Sequence, residues 1–250
     1  TVRSPFCEFA GLRFTHPEIN WQLKESRLFW DLQKGKLFDG DGALTGTYDT
    51  ETGQGLIAFR CDGMRLFEVG RHFGVQASEE TLKGRLSGHC RLQVLRGWAG
   101  REKQISGNGR LSLTGGDVWR VPLFTSLGKL LDVTFISRLT GGRASSLGTI
   151  TRIDTDLSFN GDRVIIRNLT TDGTLLSLAG KGEYDWESDR VYLAVNGRAL
   201  EKMSILSFVF RPLSWVFNAE MTGTSKQAKW RLSTPLQKAG TGLDGMAPSE

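Results

Sequence analysis

The chain contains no run of about eighteen apolar residues, so no segment of it reads as a helix able to cross a membrane. It begins at Thr1 without an initiator Met, and it is therefore expected to be a water-exposed portion whose signal peptide or membrane anchor would lie outside it. Histidine is scarce. His16, His72 and His89 are the only three, and nothing in their spacing brings them together as a base, a triad or a ligand set. Cys7, Cys61 and Cys90 are far apart, with no CxxC pair and no zinc-site spacing, so a metal site is not expected. At least one thiol must be unpaired; a single Cys61–Cys90 disulfide stays open. Also missing are GxSxG, HExxH, GxxxxGK[ST] and a complete GxGxxG. Without them the chain is expected to be non-catalytic and to bind no cofactor. No run of four Lys/Arg occurs, and the net charge of +5 is spread among acids, which reads as a mixed solvated surface with no nucleic-acid partner.

Glycine is abundant: 31 glycines stand against 6 prolines, and tight turns and bulges of an all-β protein need such residues. From about Leu82 onward the dominant period is two. Leu86, Gly88, Cys90, Leu92 and Val94 alternate with Ser87, His89, Arg91 and Gln93, giving a half-buried strand in which Cys90 points inward as a thiol. Ile153, Leu157 and Phe159 alternate with Asp154, Asp156 and Ser158. Asn160-Gly161-Asp162 then turns the chain into Val164 and Ile166, between Arg163 and Arg167. Leu176, Leu178, Gly180, Gly182, Tyr184 and Trp186 share one parity, and Glu187-Ser188-Asp189 leads on to Val191, Leu193 and Val195. An antiparallel meander is the expected result. The first fifty residues are less regular, although Leu28, Trp30 and Leu32 alternate and Leu56–Arg60 suggests another strand.

Three stretches carry helical spacing instead. Residues 122–132 open on Pro122 and place Leu123, Leu127, Leu130 and Leu131 on one side. Residues 199–217 repeat Leu200, Met203, Leu206, Phe210, Leu213 and Phe217 at intervals of three and four, with a kink expected at Pro212. Residues 64–74 carry a fainter version through Leu66, Val69 and Phe73, weakened by Gly70. From Lys238 to Glu250 the composition is Gly-, Ala- and Pro-rich without a period, as in a disordered tail. Asp154 and Asp156 share a strand face and are expected to be a solvated acid pair; the seven tryptophans do not cluster and suit core or groove-edge positions.

The order of features from about Gly84 to Ser233 resembles the C-terminal region of AsmA-like proteins. Gly107-Asn108-Gly109 through Gly116, leading by Val121-Pro122-Leu123 into a Leu-rich helix, looks like the family's Gly-x-Gly strand and its short helix. Leu176 to Asp185 resembles its second Gly-x-Gly strand, and Met221-Thr222-Gly223-Thr224 with Lys229-Trp230-Arg231-Leu232 looks like its closing element, with Ala228 where Pro is common. Residues 1–80 match in texture alone. The resemblance implies a long curved antiparallel sheet, gutter-like, with two or three short amphipathic helices. It further implies an N-terminal β-rich part at 1–80, an AsmA-like region at 81–236 and a tail at 237–250.

That likeness implies a periplasmic chain, anchored to the inner membrane by a segment outside it, that holds or conducts phospholipid acyl chains in support of lipid transport and outer-membrane biogenesis. The groove would be lined by Leu111, Leu113, Leu157, Phe159, Val164, Ile166, Leu176, Leu178, Tyr184, Trp186, Val191, Leu193 and Val195. Envelope proteins are possible partners. The alternative expectation is a structural or protein-interaction module of the cell envelope whose helices fill the same space.

Overall fold

The computed structural model describes residues 2–9, 11–75, 78–80, 82–96, 103–116, 127, 150–173, 176–199, 215–224 and 227–233. Over these residues the chain is one long, open, antiparallel sheet. Its strands are β1 (Val2–Arg3), β2 (Phe6–Phe9), β3 (Leu12–Lys24), β4 (Arg27–Leu37), β5 (Gly40–Asp49), β6 (Gly55–Arg65) and β7 (Arg85–Arg96). They continue with β8 (Lys103–Thr114), β9 (Ile150–Asn160), β10 (Arg163–Gly173), β11 (Leu176–Asp185), β12 (Arg190–Ala199), β13 (Trp215–Thr224) and β14 (Ala228–Ser233). From β3 to β14 each strand pairs with the next in sequence, and β1 and β2 both pair with the outer side of β3. The pairs Gly55↔Val94 to Arg65↔Arg85 carry the sheet without interruption across residue 80. The helix whose bounds are described is α1 (Leu66–His72), which is the 64–74 stretch with faint helical spacing; Leu127, inside the expected 122–132 helix, is helical as well.

The long connections gather at one end of the strands, where short turns also join β4 to β5 and β10 to β11. At the opposite end, here the hairpin end, short turns join β3 to β4, β5 to β6, β9 to β10 and β11 to β12. In the β5–β6 turn, Asp49 Oδ1 accepts the backbone N–H groups of Glu51 and Thr52 at 3.0 and 2.9 Å, an Asx-type closure. At the other end the chain leaves β6 for α1, leaves β8 at Thr114 to return at Ile150, and leaves β12 at Ala199 to return at Trp215. All three stretches of helical spacing therefore attach at this connecting end.

Two expectations need correction here. The 199–217 helix cannot extend to its expected end, because Trp215–Thr224 is a strand in which Phe217 pairs with Gly197. Phe217, Ala219 and Met221 are buried while Val216 and Glu220 are exposed, and that period of two fits a half-buried strand. His16, expected in a loop, lies inside β3 with φ 51° and donates its N–H to Pro5 O at 2.9 Å. Most of the 122–132 stretch, residues 200–214 and the 237–250 tail lie outside the described residues.

Candidate functional site

Directly paired residues of an antiparallel sheet project to the same side, so the register assigns every strand's faces. Starting from Leu178, the pairs run outward on one flank through Gly197 and Phe217, and the same parity of β13 continues through Ala219 to its partner Leu232. On the other flank they run through Thr171, Ile153, Leu113, Leu86 and Met64. Leu111, Leu113, Leu157, Phe159, Val164, Ile166, Leu178, Tyr184, Val191, Leu193 and Val195 all fall on this side. Leu176 pairs through its backbone with Ala199. Arg110, Arg163, Lys181 and Glu183 fall on the opposite side. The same face continues through the first six strands as Cys7, Phe14, Ile19, Trp21, Trp30, Leu32, Leu44, Ile57, Phe59 and Cys61. Among the paired residues of β2–β14 whose side chains are described, no Asp, Glu, Lys or Arg stands on it.

Trp186 stands one residue past the end of β11 at Asp185, at the start of the turn, with the parity of the strand; its backbone N–H donates to Asp162 O and its indole N–H to Asp162 Oδ1, both at 3.0 Å. Tyr184 is the last groove residue of β11, with its hydroxyl on Asp189 Oδ1 at 3.1 Å. Of the expected helix residues, Leu127 is fully buried in the cluster around Leu113, Leu169, Leu178 and Val195, whereas Leu123, Leu130, Leu131, Leu206, Phe210 and Leu213 lie outside the described residues.

Burial along the apolar face is graded. Near the connecting end Phe14, Leu37, Met64, Leu113, Leu169, Leu178, Val195 and Phe217 are all buried. Toward the hairpin end Leu28, Tyr48, Val94, Ile105, Phe159, Val164, Tyr184 and Val191 are only partly covered, and Trp21 and Leu23 are 63% and 58% exposed. Two features close the connecting end. Val69 of α1 packs on the cluster of Phe14, Leu32, Leu37 and Leu44, and Leu66 packs on the cluster that holds Leu127. Register breaks in β3, β4 and β6, and the Asp172/Gly173 break of β10, add bulges in the same part of the strands, and bulges bend a sheet. A depression of about 890 Å³ lies over β3–β8 and is lined mostly by the opposite register, including Asn20, Gln22, Phe29, Thr45, Leu56 and Arg91, with Trp21, Trp30, Ile57 and Leu92 of the apolar register at its border.

The remaining polar candidates are dispersed. Asp154 and Asp156 do share the outer face, each with an arginine: Arg152 lies 2.6 Å from Asp154 and Arg110 3.8 Å from Asp156. The Arg152 hydrogen bond holds the Asp154 carboxyl below its usual range. His72 sits on α1 beside Phe38, and His89 is exposed on the outer face of β7. No group of three His, Cys, Asp or Glu among the described residues could hold a metal ion. All three cysteines are thiols on the apolar face, and burial pushes their pKa values up, that of Cys61 to about 11. A raised pKa suppresses the thiolate, which is the reactive form.

Sequence periodicity missed the N-terminal half of this face. Its signal was present but shifted: Leu32 and Leu37 differ in parity, as do Phe14 and Ile19, because bulges intervene. Comparison with models of known protein families, with curated proteins and with solved structures yields no match for the chain.

Proposed function

We propose that this chain is a non-catalytic gutter that holds or conducts acyl chains of phospholipids along its apolar face, in the service of lipid transport and outer-membrane biogenesis in a bacterial envelope. The observation that carries the reading is the apolar face shared by consecutive strands, free of charged side chains among the described ones and left partly uncovered toward its hairpin end. A dry core would bury Phe159, Val164 and Ile105 as it buries Leu178. Partial cover leaves room for a flexible apolar ligand, whose methylenes each gain about 0.8 kcal/mol on leaving water. Curvature that is closed on one side and open on the other suits a chain-shaped guest entering from the side. The AsmA-like order of features in residues 84–233 agrees with this use and with a periplasmic setting.

A structural or protein-interaction module is the second reading, and Leu127 favours it: that residue shows the connecting end packed by the protein's own side chains. The two readings part at the hairpin end. Native mass spectrometry and lipid extraction of the purified chain should find phospholipid bound. Leu157→Asp, in the partly covered region, should lose most of it, while Lys181→Asp on the outer face should retain it. A folded wild-type chain free of lipid after extraction from a lipid-containing preparation would instead establish the module reading.

A further inference from the structure

We infer that the β3–β4 hairpin docks the open end of the gutter onto a zwitterionic phospholipid bilayer surface, an inference that rests on the lipid-holding reading for its purpose but not for its test. Trp21 and Leu23 are among the most exposed large apolar side chains of the sheet, and both stand on the apolar register. Trp21 pairs with Trp30 and Leu23 with Leu28, so the exposed pair is the outer continuation of the partly covered groove. Their segment is also a sheet margin. β1 pairs with β3 at Glu18 and Ile19, β2 pairs with it at Leu12 to Thr15, and no described strand pairs with the outer side of Trp21–Lys24. An aromatic ring with a polar indole N–H beside an aliphatic side chain suits the boundary between headgroups and acyl chains.

The charges nearby select the kind of surface. Lys24 and Arg27 flank the turn, but Glu25 lies between them, and Arg27 faces Asp49 at 3.3 Å with Glu51 in the next turn. Opposite signs nearly cancel, so an anionic headgroup layer gains little and the insertion is apolar. A neutral headgroup layer fits, and binding to it should be nearly insensitive to salt. Once seated, the bilayer would meet the groove where its wall is already open, and an acyl chain would pass from one apolar medium to another.

The test uses the full chain and phosphatidylcholine vesicles. Wild type should co-sediment with pure phosphatidylcholine vesicles, with little gain from added phosphatidylglycerol and little loss in high salt. Trp21→Ser combined with Leu23→Ser should weaken partitioning by at least about tenfold while leaving circular dichroism and the melting temperature unchanged. Trp21→Phe keeps an apolar anchor and should still bind, but should lose most of the fluorescence quenching that brominated phosphatidylcholine causes in wild type. Three results overturn the inference: no binding to pure phosphatidylcholine, binding that demands phosphatidylglycerol and vanishes with salt, or a double variant that binds as wild type does. Self-association through the free edge of β3, seen as a dimer that the double substitution abolishes without vesicle binding, would replace it. Because co-purified lipid is measured separately, loss of vesicle docking with lipid retained leaves the gutter reading standing.

Discussion

Glycine and cysteine show how the apolar face is made at the scale of single residues. Gly197 on β12 sits under the ring of Phe217, and a Cβ added there would lie 2.0 Å from the ring carbon Cζ. Its φ is not in the left-handed region, so the cost of a side chain is purely one of space. Phe217 is buried and cannot swing into water. Gly197→Ala should therefore lower stability by about 1–3 kcal/mol in thermal denaturation. Phe217→Leu added to it should cost less than the sum of the two single changes, because the smaller side chain vacates the contested volume. Additive losses would show that the ring does not oppose the methyl. The thiols report on the same face by chemistry. With the Cys61 pKa at about 11, roughly one molecule in a thousand carries the thiolate at pH 8. Labelling of Cys61 by a water-soluble disulfide reagent should be slow in the native protein and rise about tenfold per pH unit toward 11. Since the unfolded thiol ionises first, the stability linked to it is complete below pH ~9 and is lost as pH rises through 11. Rapid native labelling at pH 8 would contradict this burial.

At the scale of elements, what the sequence displayed and what it concealed have one physical cause. β7, β8, β9, β11 and β12 were legible because each keeps a single parity over most of its length, with polar residues on one side and aliphatics or glycine on the other. β3, β4, β6 and β10 change parity at a bulge, so their inward residues do not form an unbroken alternation. Phe217 was misplaced because an apolar run at helical spacing flows directly into a strand whose first inward residue extends it, and one such interval does not distinguish the two. Trp186 keeps the period of β11 although it stands one residue past the strand's end. α1 shows what a short element needs beyond spacing. It is seven residues long, lacks a side-chain N-cap, and is secured from outside by Arg65, which pairs with Asp39 at 3.0 Å and also with Glu79. Those partners are solvent-exposed, and water screens such pairs until little of their attraction reaches global stability. Arg65→Ala should thus leave the melting temperature nearly unchanged while hydrogen exchange in 66–75 accelerates severalfold, reflecting local opening of α1. Equal acceleration throughout the sheet would mean that α1 opens only with the whole.

The whole molecule is a chain of neighbours: β3 to β14 pair in sequence order, and the sheet does not close. Such architecture lets stability vary along its length, because among the described residues each strand from β4 to β13 hydrogen-bonds only with its two neighbours in sequence. Its buried side chains form two clusters. One gathers Phe14, Leu32, Leu37, Leu44, Cys61 and Met64 over β3–β6; the other gathers Leu113, Leu127, Leu169, Leu178, Leu193, Val195, Phe217, Ala219, Met221 and Trp230. Among the described residues, the only side chain packed against both is Leu86 of β7, and the face beside it sets glycines against larger residues, Gly88 opposite Leu111, Gly109 opposite Cys90 and Gly107 opposite Leu92. Backbone hydrogen bonds cross this point in β6–β8, while Leu86 is the one side chain that joins the two clusters. Unfolding in urea should accordingly show two transitions rather than one. Met64→Ala should move only the transition of the first cluster, and Met221→Ala only that of the second, each by about 2–4 kcal/mol. Hydrogen exchange read strand by strand would assign the transitions. If both substitutions shift one coincident transition, seen equally by exchange in β5 and in β12, the hydrogen-bond ladder through β7 couples the halves more strongly than their packing does. Two separate transitions would instead identify β7–β8 as the place where this gutter flexes without losing either wall.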